Sequence, residues 1–399
     1  MIALTGRAQA ARLTQPLERR VWLLTDCESL IGQRTNRAYL CAVGEPLPRG
    51  FAVYLLRSAD PRLKAMSCLS PDESIVQLPR SLDYLAGGDV ISASADGTRL
   101  RVMWRHTSRQ NSVLLTERCD NYCLMCSQPP KEANDDWLLE DAKALIRLLP
   151  RSANEIGFTG GEPTFYGQGL LDLLTLCTAL LPETPVHVLS NGRRFSDLGF
   201  ALRWANVDNP NLMVGIPIYG AEPSLHDYVV QARGAFEETV RGILNLAQLD
   251  QRIELRVVIH KQTAPYLLEI AEFIARNLPF VEQVALMGLE TTGFARANLA
   301  DVWIDPNVYA PSLTEAAYLL DSAGLNTMIY NHQLCLIEPE AWSFTVKSIS
   351  DWKNEYHPEC AECSVVDRCG GFFHSAKYKV SDNIKAIKPA SEPAVLELS

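Results

Sequence analysis

The chain has 399 residues, 47% of them hydrophobic, and 47 acidic against 37 basic side chains give it a formal net charge of -10. Such a chain can bury the cores of two or three domains and is neither fibrous nor disordered in composition. Its acidic balance argues against broad nucleic-acid binding and against polybasic membrane contact, both of which need a basic footprint, although a local basic patch stays open. No run of about 20 apolar residues occurs, and the opening "MIALTGRAQAARLTQPLERRVWLL" lacks the apolar core of a signal peptide, so a cytoplasmic protein is expected. Eleven cysteines are too sparse for a disulfide scaffold, and their clustering suits metal ligation in a reducing compartment.

Residues 1 to about 105 hold short alternating runs ("GFAVYLL", "DVISAS", "RLRVMW") with a turn signal, "ADGT", and so predict a small β-rich domain. From about 106 to 310, apolar strands alternate with amphipathic helices. The strands are "SVLLTE", "EIGFTG", "VHVLSNG", "LMVGIPIYG", "IELRVVIHK" and "VEQVALMGLE", and the helices between them include "WLLEDAKALIRLL" and "AFEETVRGILNLAQL". This alternation implies parallel strands joined by right-handed crossovers, and six strands make an open arc rather than a closed eight-stranded barrel. Ligands of such sheets sit at the C-terminal strand ends, where the connecting loops gather.

Cys119, Cys123 and Cys126 stand at CxxxCxxC spacing in the loop after the first of these strands. Three soft thiolates on one short loop can wrap an iron-sulfur cluster and leave one iron of a four-iron cube without a protein ligand. Taken alone, the spacing also fits zinc with a distant fourth ligand, or a plain cysteine-rich loop. One helix later a strand opens into Gly160, Gly161, Glu162 and Pro163. There a glycine pair lets a ligand approach the main chain, while carbonyls and Glu162 offer acceptors to an amino group. A third segment, about 311 to 380, begins near the helix "TEAAYLLDSAG" and brings Cys335, Cys360, Cys363 and Cys369, a set able to ligate a second cube fully or to hold a structural zinc. Cys27, Cys41, Cys68 and Cys177 lie outside the clusters and read as buried small apolar residues. From 381 to 399 no periodic core is visible, and a flexible tail is expected.

The order CxxxCxxC, helix, strand, GGEP resembles the radical S-adenosylmethionine (SAM) enzymes. The fold implied is a partial (β/α)6 TIM-like barrel, flanked here by the β-rich N-terminal domain and an auxiliary-cluster region. By that resemblance Cys119, Cys123 and Cys126 carry the catalytic [4Fe-4S] cluster, and Gly160 to Pro163 place the SAM amine. Met125, Ser190, Asn191, Arg256, Met287 and Gly288 then lie where SAM's carboxylate, ribose and adenine are held, with Arg256 equally suited to bracing the interior by an ion pair. Relatives carry an aromatic residue at Met125 and often a hydroxyl at Pro217. His226, Asp227, Arg233 and Gly234 match the fourth-strand region, where a capping and loop-bracing role is favoured over catalysis. Cys335, Cys360, Cys363 and Cys369 resemble the ligands of one auxiliary [4Fe-4S] cluster. The N-terminal domain lacks the helices of a leader-binding module, so structural cover is favoured over peptide recognition.

The stretches "LLTERCDNYCLMCSQPPK" and "SISDWKNEYHPECAECSVVDRCGGFF" look like the HxsC family of His-Xaa-Ser peptide systems. That resemblance implies a peptide or small-protein substrate, a second radical SAM subunit as partner, and a reductant such as flavodoxin or ferredoxin. Two other readings stand beside it: radical chemistry on a small metabolite, and a cluster-binding partner without activity of its own.

Overall fold

Two sheets carry the fold. The computed structural model describes residues 3–17, 20–27, 34, 37–61, 72–347 and 355–388. Cys68, the "SISDWKN" stretch at 348–354 and the tail from 389 onward therefore lie outside the described residues.

The first sheet has eight short strands: β1 (Thr5–Arg7), β2 (Ala10–Arg12), β3 (Val21–Thr25), β4 (Arg37–Cys41), β5 (Val53–Leu56), β6 (Ile75–Gln77), β7 (Val90–Ala93) and β8 (Arg99–Trp104). Their order is β1-β8-β7-β3-β4-β5-β6-β2, parallel from β3 through β6 and antiparallel elsewhere. The "ADGT" turn joins β7 to β8, with Gly97 at φ 70° where a side chain would strain the backbone. Val21, Val90, Met103 and Trp104 run into the main core, so this sheet is packed onto the rest of the molecule.

The second sheet is wholly parallel and strictly sequential: β9 (Gln110–Thr116), β10 (Glu155–Gly160), β11 (Val186–Leu189), β12 (Leu212–Pro217), β13 (Arg252–Ile259), β14 (Gln283–Gly288) and β15 (Asn326–Tyr330). Crossovers run through α1 (Trp137–Ile146), α2 (Gln168–Leu180), α3 (Leu198–Ala205), α4 (Pro223–Val230), α5 (Ala235–Gln248), α6 (Leu267–Asn277), α7 (Gly293–Ala297), α8 (Leu299–Val302) and α9 (Pro306–Ser322). Side chains facing the helices, such as Val188, Val214, Ile216, Leu255, Val257 and Leu286, are buried, and they form the core with Leu173, Leu174, Phe195 and Trp204. The opposite face alternates with them and is half-buried at His187, Leu189, Met213, Arg256 and Met287. That period-two contrast leaves a hollow over the sheet rather than a second close-packed layer.

The sequence predicts six strands here and the structure has seven. The helix expected to open the cysteine-rich region starts earlier, at Pro306, where Asp305 accepts a hydrogen bond from Asn307 N at 3.0 Å, and serves as the crossover to β15. β15 pairs in parallel with β14 from Gln283↔Asn326 to Met287↔Tyr330, so the α/β unit runs past the expected boundary near 310. "NTMIY" is too short to declare itself without its partner strand. Cys41 and Cys177 are buried as expected, but Cys27 is exposed. Residues 381–388 also depart from the expected tail. Ser381 Oγ and Asn383 Nδ2 donate to Asp305 Oδ2 at 2.8 and 3.1 Å, and Ile387 packs on the core.

Three histidines are buried and kept neutral. Burial pulls the pKa of His226, His260 and His332 down to about 4. His332 is bonded on both sides, to Tyr330 O at 2.8 Å and to the Tyr309 hydroxyl at 2.9 Å. Each unfolded imidazole binds a proton below its ordinary value near 6.5, which the folded protein resists until about 4. Stability is therefore complete above pH 6.5 and falls as the pH drops toward 4, by about 1.4 kcal/mol per pH unit for each histidine. Urea midpoints at pH 7 and pH 5 check this: the midpoint falls at pH 5, and by less in His332→Phe.

Candidate active site

The loop carrying Cys119, Cys123 and Cys126 leaves the C-terminal end of β9 and is held from below and from both sides. Beneath it, Gly161 N donates to Thr116 O at 2.8 Å and Glu162 N to Arg118 O at 2.7 Å. This crossing is so close that a Cβ on Gly160 would stand 2.2 Å from Thr116 O, and one on Gly161 2.1 Å from Arg118 O. The glycine pair expected to admit a ligand is thus already required for main-chain contact with the cysteine loop. On one side Tyr122 N and Leu124 N donate to Val230 O and Val229 O at the end of α4. On the other, Phe294 N donates to Cys126 O at 2.8 Å and Asn298 Nδ2 to Leu124 O at 2.8 Å. Gly293, at φ 53°, has no room for a side chain against Cys126 O and Ser127 O. Met125 is buried among Tyr219, Val229, Val230, Ala295 and Val302, so its side chain anchors the loop in a small apolar cluster.

Glu162 is buried and accepts four hydrogen bonds, three of them on one oxygen. Its Oε1 accepts from Thr164 N (2.9 Å), Thr164 Oγ1 (2.7 Å) and Ser190 Oγ (2.8 Å), and its Oε2 from Asn191 N (2.6 Å). Burial raises its pKa while these four donors pull it down. This carboxylate ties the end of β10 to the end of β11, and Oε2, with a single donor, keeps acceptor capacity. Pro163 follows it as the first residue of a short 3-10 turn. Asn191 Nδ2 donates to Asp120 Oδ1 at 2.6 Å, and Arg193 reaches Asp120 (3.1 Å), Asn121 Oδ1 (2.8 Å) and Glu238 (2.6 Å). Asp120 and Arg193 were not visible as site residues in the sequence. The position of Asp120 next to Cys119 is the one signal that could have marked it.

Over the hollow of the sheet, Arg256 Nη1 pairs with Glu254 Oε1 at 2.6 Å and Nη2 contacts Met287 Sδ at 3.1 Å. The bracing ion pair weighed for Arg256 is therefore present. His187 Nε2 lies 3.8 Å from Glu254 Oε2 and has no hydrogen-bond partner, and burial lowers its pKa. Gly215 on the strand between them lets His187 and Arg256 meet, since a Cβ there would stand 2.8 Å from His187 Nε2. Gly288 adjoins Asn331, whose carbonyl would lie 2.5 Å from an added Cβ. Asp227 behaves as a brace, accepting from Gly234 N and Phe236 N at 2.5 and 2.8 Å, and His226 Nδ1 accepts from Tyr219 N at 3.2 Å.

Burial raises all three loop thiols, Cys119 to about 12, and Cys126 adds to the rise at Cys119 and Cys123, so the three stand within electrostatic reach of one another. Thiolates this disfavoured persist when a metal compensates their charge. Among the described residues no three His, Cys, Asp or Glu side chains converge at the spacing of a single metal ion. An iron-sulfur cube instead takes one thiolate at each of several irons, and three part-buried soft donors on one loop fit it.

The site is thus a parallel sheet with three thiols on the loop after its first strand. Residues 113–274 match the Radical SAM superfamily, and the chain is an enzyme carrying that domain. The family implies a [4Fe-4S] cluster and SAM. An AdoMet-dependent heme synthase from Oleidesulfovibrio alaskensis is 30% identical over 135 residues, covering 33% of this chain and 32% of that protein. The chain spans about a third of the length of the curated proteins it matches. Among solved structures, native anSMEcpe with bound AdoMet superposes with a TM-score of 0.49 at 13% identity, covering 69% of this chain and 93% of that one. Streptococcus suis SuiB bound to precursor peptide SuiA gives 0.45 at 15% identity, covering 57% and 50%. Likeness at this level carries no information on substrate.

The Gly161 crossing makes a direct prediction. Gly161→Ala should expel the cysteine loop from its place, so that anaerobically reconstituted protein loses the iron bound by Cys119, Cys123 and Cys126. Iron and sulfide counting would detect it, with Val308→Ala, a 69% exposed side chain on α9, as the control.

Proposed function

We propose that this enzyme is a peptide maturase of the HxsC kind, binding SAM at the iron left free by Cys119, Cys123 and Cys126 and modifying a gene-encoded peptide or small protein. The observation that carries the reading is a second group of four cysteines beside a cleft. Cys335, Cys360, Cys363 and Cys369 line one pocket, and the charges of Cys360 and Cys369 are felt at Cys335. That pocket shares Gln333 and Phe372 with a cleft which reaches Gly288 and Asn331 at the ends of β14 and β15. A substrate held there would lie between two cofactor sites, inside what reads as a partial barrel with seven strands. Bound and reduced, the cluster and SAM would supply a 5'-deoxyadenosyl radical able to take hydrogen from an unactivated carbon.

The chain's own residues orient and shield. The Gly160–Gly161 crossing and the Asp120–Arg193–Glu238 clamp fix the three thiols. Glu162 and Asn191 each keep hydrogen-bonding capacity beyond their bracing contacts, and with main-chain groups near Gly160, Gly161 and Ser190 would meet the amine and carboxylate of SAM. Arg256, Met287 and Gly288 stand by for ribose and adenine. A second radical SAM subunit and a flavodoxin- or ferredoxin-like reductant complete the proposed system, and the setting is cytoplasmic; no helix among the described residues is long and apolar enough to cross a membrane. A small metabolite as substrate is the second reading, favoured by the match to an AdoMet-dependent heme synthase.

Reconstituted protein given dithionite and SAM should form 5'-deoxyadenosine, and Cys126→Ala should reduce it to background. Following the mass of candidate peptides in the same mixtures separates the two substrate classes, and a mass change on a porphyrin or other small molecule alone would overturn the peptide reading. Low-temperature EPR should resolve two cubanes, only one of which responds to SAM and vanishes in Cys126→Ala. A single signal in the wild type would remove the auxiliary cluster.

A further inference from the structure

The segment expected to trail away as a tail runs over the four-cysteine pocket. It is fastened upstream by Ser381 and Asn383 to Asp305, the N-cap of α9. It then passes Lys385 and Ile387 along the pocket wall. Ile387 N donates to Cys363 Sγ at 3.4 Å, and the main chain of Lys385 favours the charged form of Cys335. The far end is fastened as well: Ser364 N and Ser364 Oγ both donate to Ile387 O at 2.8 Å, immediately after Cys363 in the chain. Ile387 also packs on the main core. Two anchors, one N–H bonded to sulfur and one apolar contact, in eight residues, are more than a segment needs to lie on a surface.

We infer that Ser381–Lys388 is a structural part of the four-cysteine metal site, a strap that donates a main-chain hydrogen bond to the sulfur of Cys363 and covers the cysteine pocket from water. Hydrogen bonds to ligating sulfur and exclusion of solvent are the two main protein controls on the stability and potential of such a centre. Because the donor is a main-chain N–H group, most side-chain changes in the strap leave it intact, and proline removes it. The strap also reaches the substrate cleft, which Val380 and Ser381 help to line, so loosening its first anchor opens both pockets together. The metal bound there rests on the auxiliary-cluster reading above; the strap itself does not.

The test uses the full chain, reconstituted anaerobically, with Ile387→Pro, Ile387→Ala and the double variant Ser381→Ala/Asn383→Ala. Iron release to a chelator is followed separately for the two centres by EPR. Ile387→Pro and the double variant should lose iron from the four-cysteine site about 10-fold faster or more. Ile387→Ala, which keeps its N–H, should stay close to wild type, and the Cys119–Cys126 centre, unchanged in all, shows that the variants fold. Wild-type release rates in both Ile387→Pro and the double variant would overturn the strap. Should the wild type bind no metal at these four cysteines, the auxiliary-cluster reading fails, and the strap is judged on metal-free protein. Alkylation of Cys335 and Cys363, read by mass spectrometry, should then be faster in the variants, and equal rates would overturn it.

Discussion

The main-chain crossing of Gly160 and Gly161 beneath Thr116 and Arg118 is the constraint from which the active region follows. Two backbone segments approach so closely that no side chain fits between them, and two N–H groups that would otherwise be orphaned at a strand end are satisfied there. The crossing fixes where the cysteine loop leaves the sheet. It also fixes the neighbouring strand, because Glu162, the next residue, uses its carboxylate to gather Thr164, Ser190 and Asn191. A loop that must present three sulfurs to one inorganic centre needs this rigidity, since a displaced ligand is a lost ligand.

Around that crossing, polar side chains serve as struts. Asn191 and Arg193 hold Asp120, Glu238 holds Arg193, and Asp227 organises the start of α5. The pattern is economical for cofactor chemistry, in which the reactivity belongs to the cofactor and the protein contributes geometry and a dry setting. The hollow face of the sheet is built differently. There Arg256, Glu254 and His187 meet over Gly215, and His187 keeps one ring nitrogen without a partner, so this face retains unspent polar capacity.

Much of the fold was legible because its signals are local. Alternating strands and amphipathic helices gave the parallel α/β unit, and "ADGT" between two apolar runs gave the β7–β8 hairpin. β15 escaped because five residues without their neighbour carry little pattern, and the strap escaped because its order comes from anchors on Asp305 and Ser364 rather than from any periodicity of its own. Cys27 was misjudged for the same kind of reason, since spacing gives no hint of exposure at a strand end.

By itself the sequence determined the chemistry on offer: three thiols on one loop, four more near the end, a glycine pair at a strand terminus, and the order of strands and helices. Only the tertiary structure decided what each polar group is used for. Glu162 and Asn191 read as ligand-binding residues from their motifs, and the bracing partners they also meet, Ser190 and Asp120, are 28 and 71 positions away in the chain. A motif fixes which atoms can donate or accept, but a hydrogen bond is short and directional, and the atom that meets it is chosen by how distant segments pack.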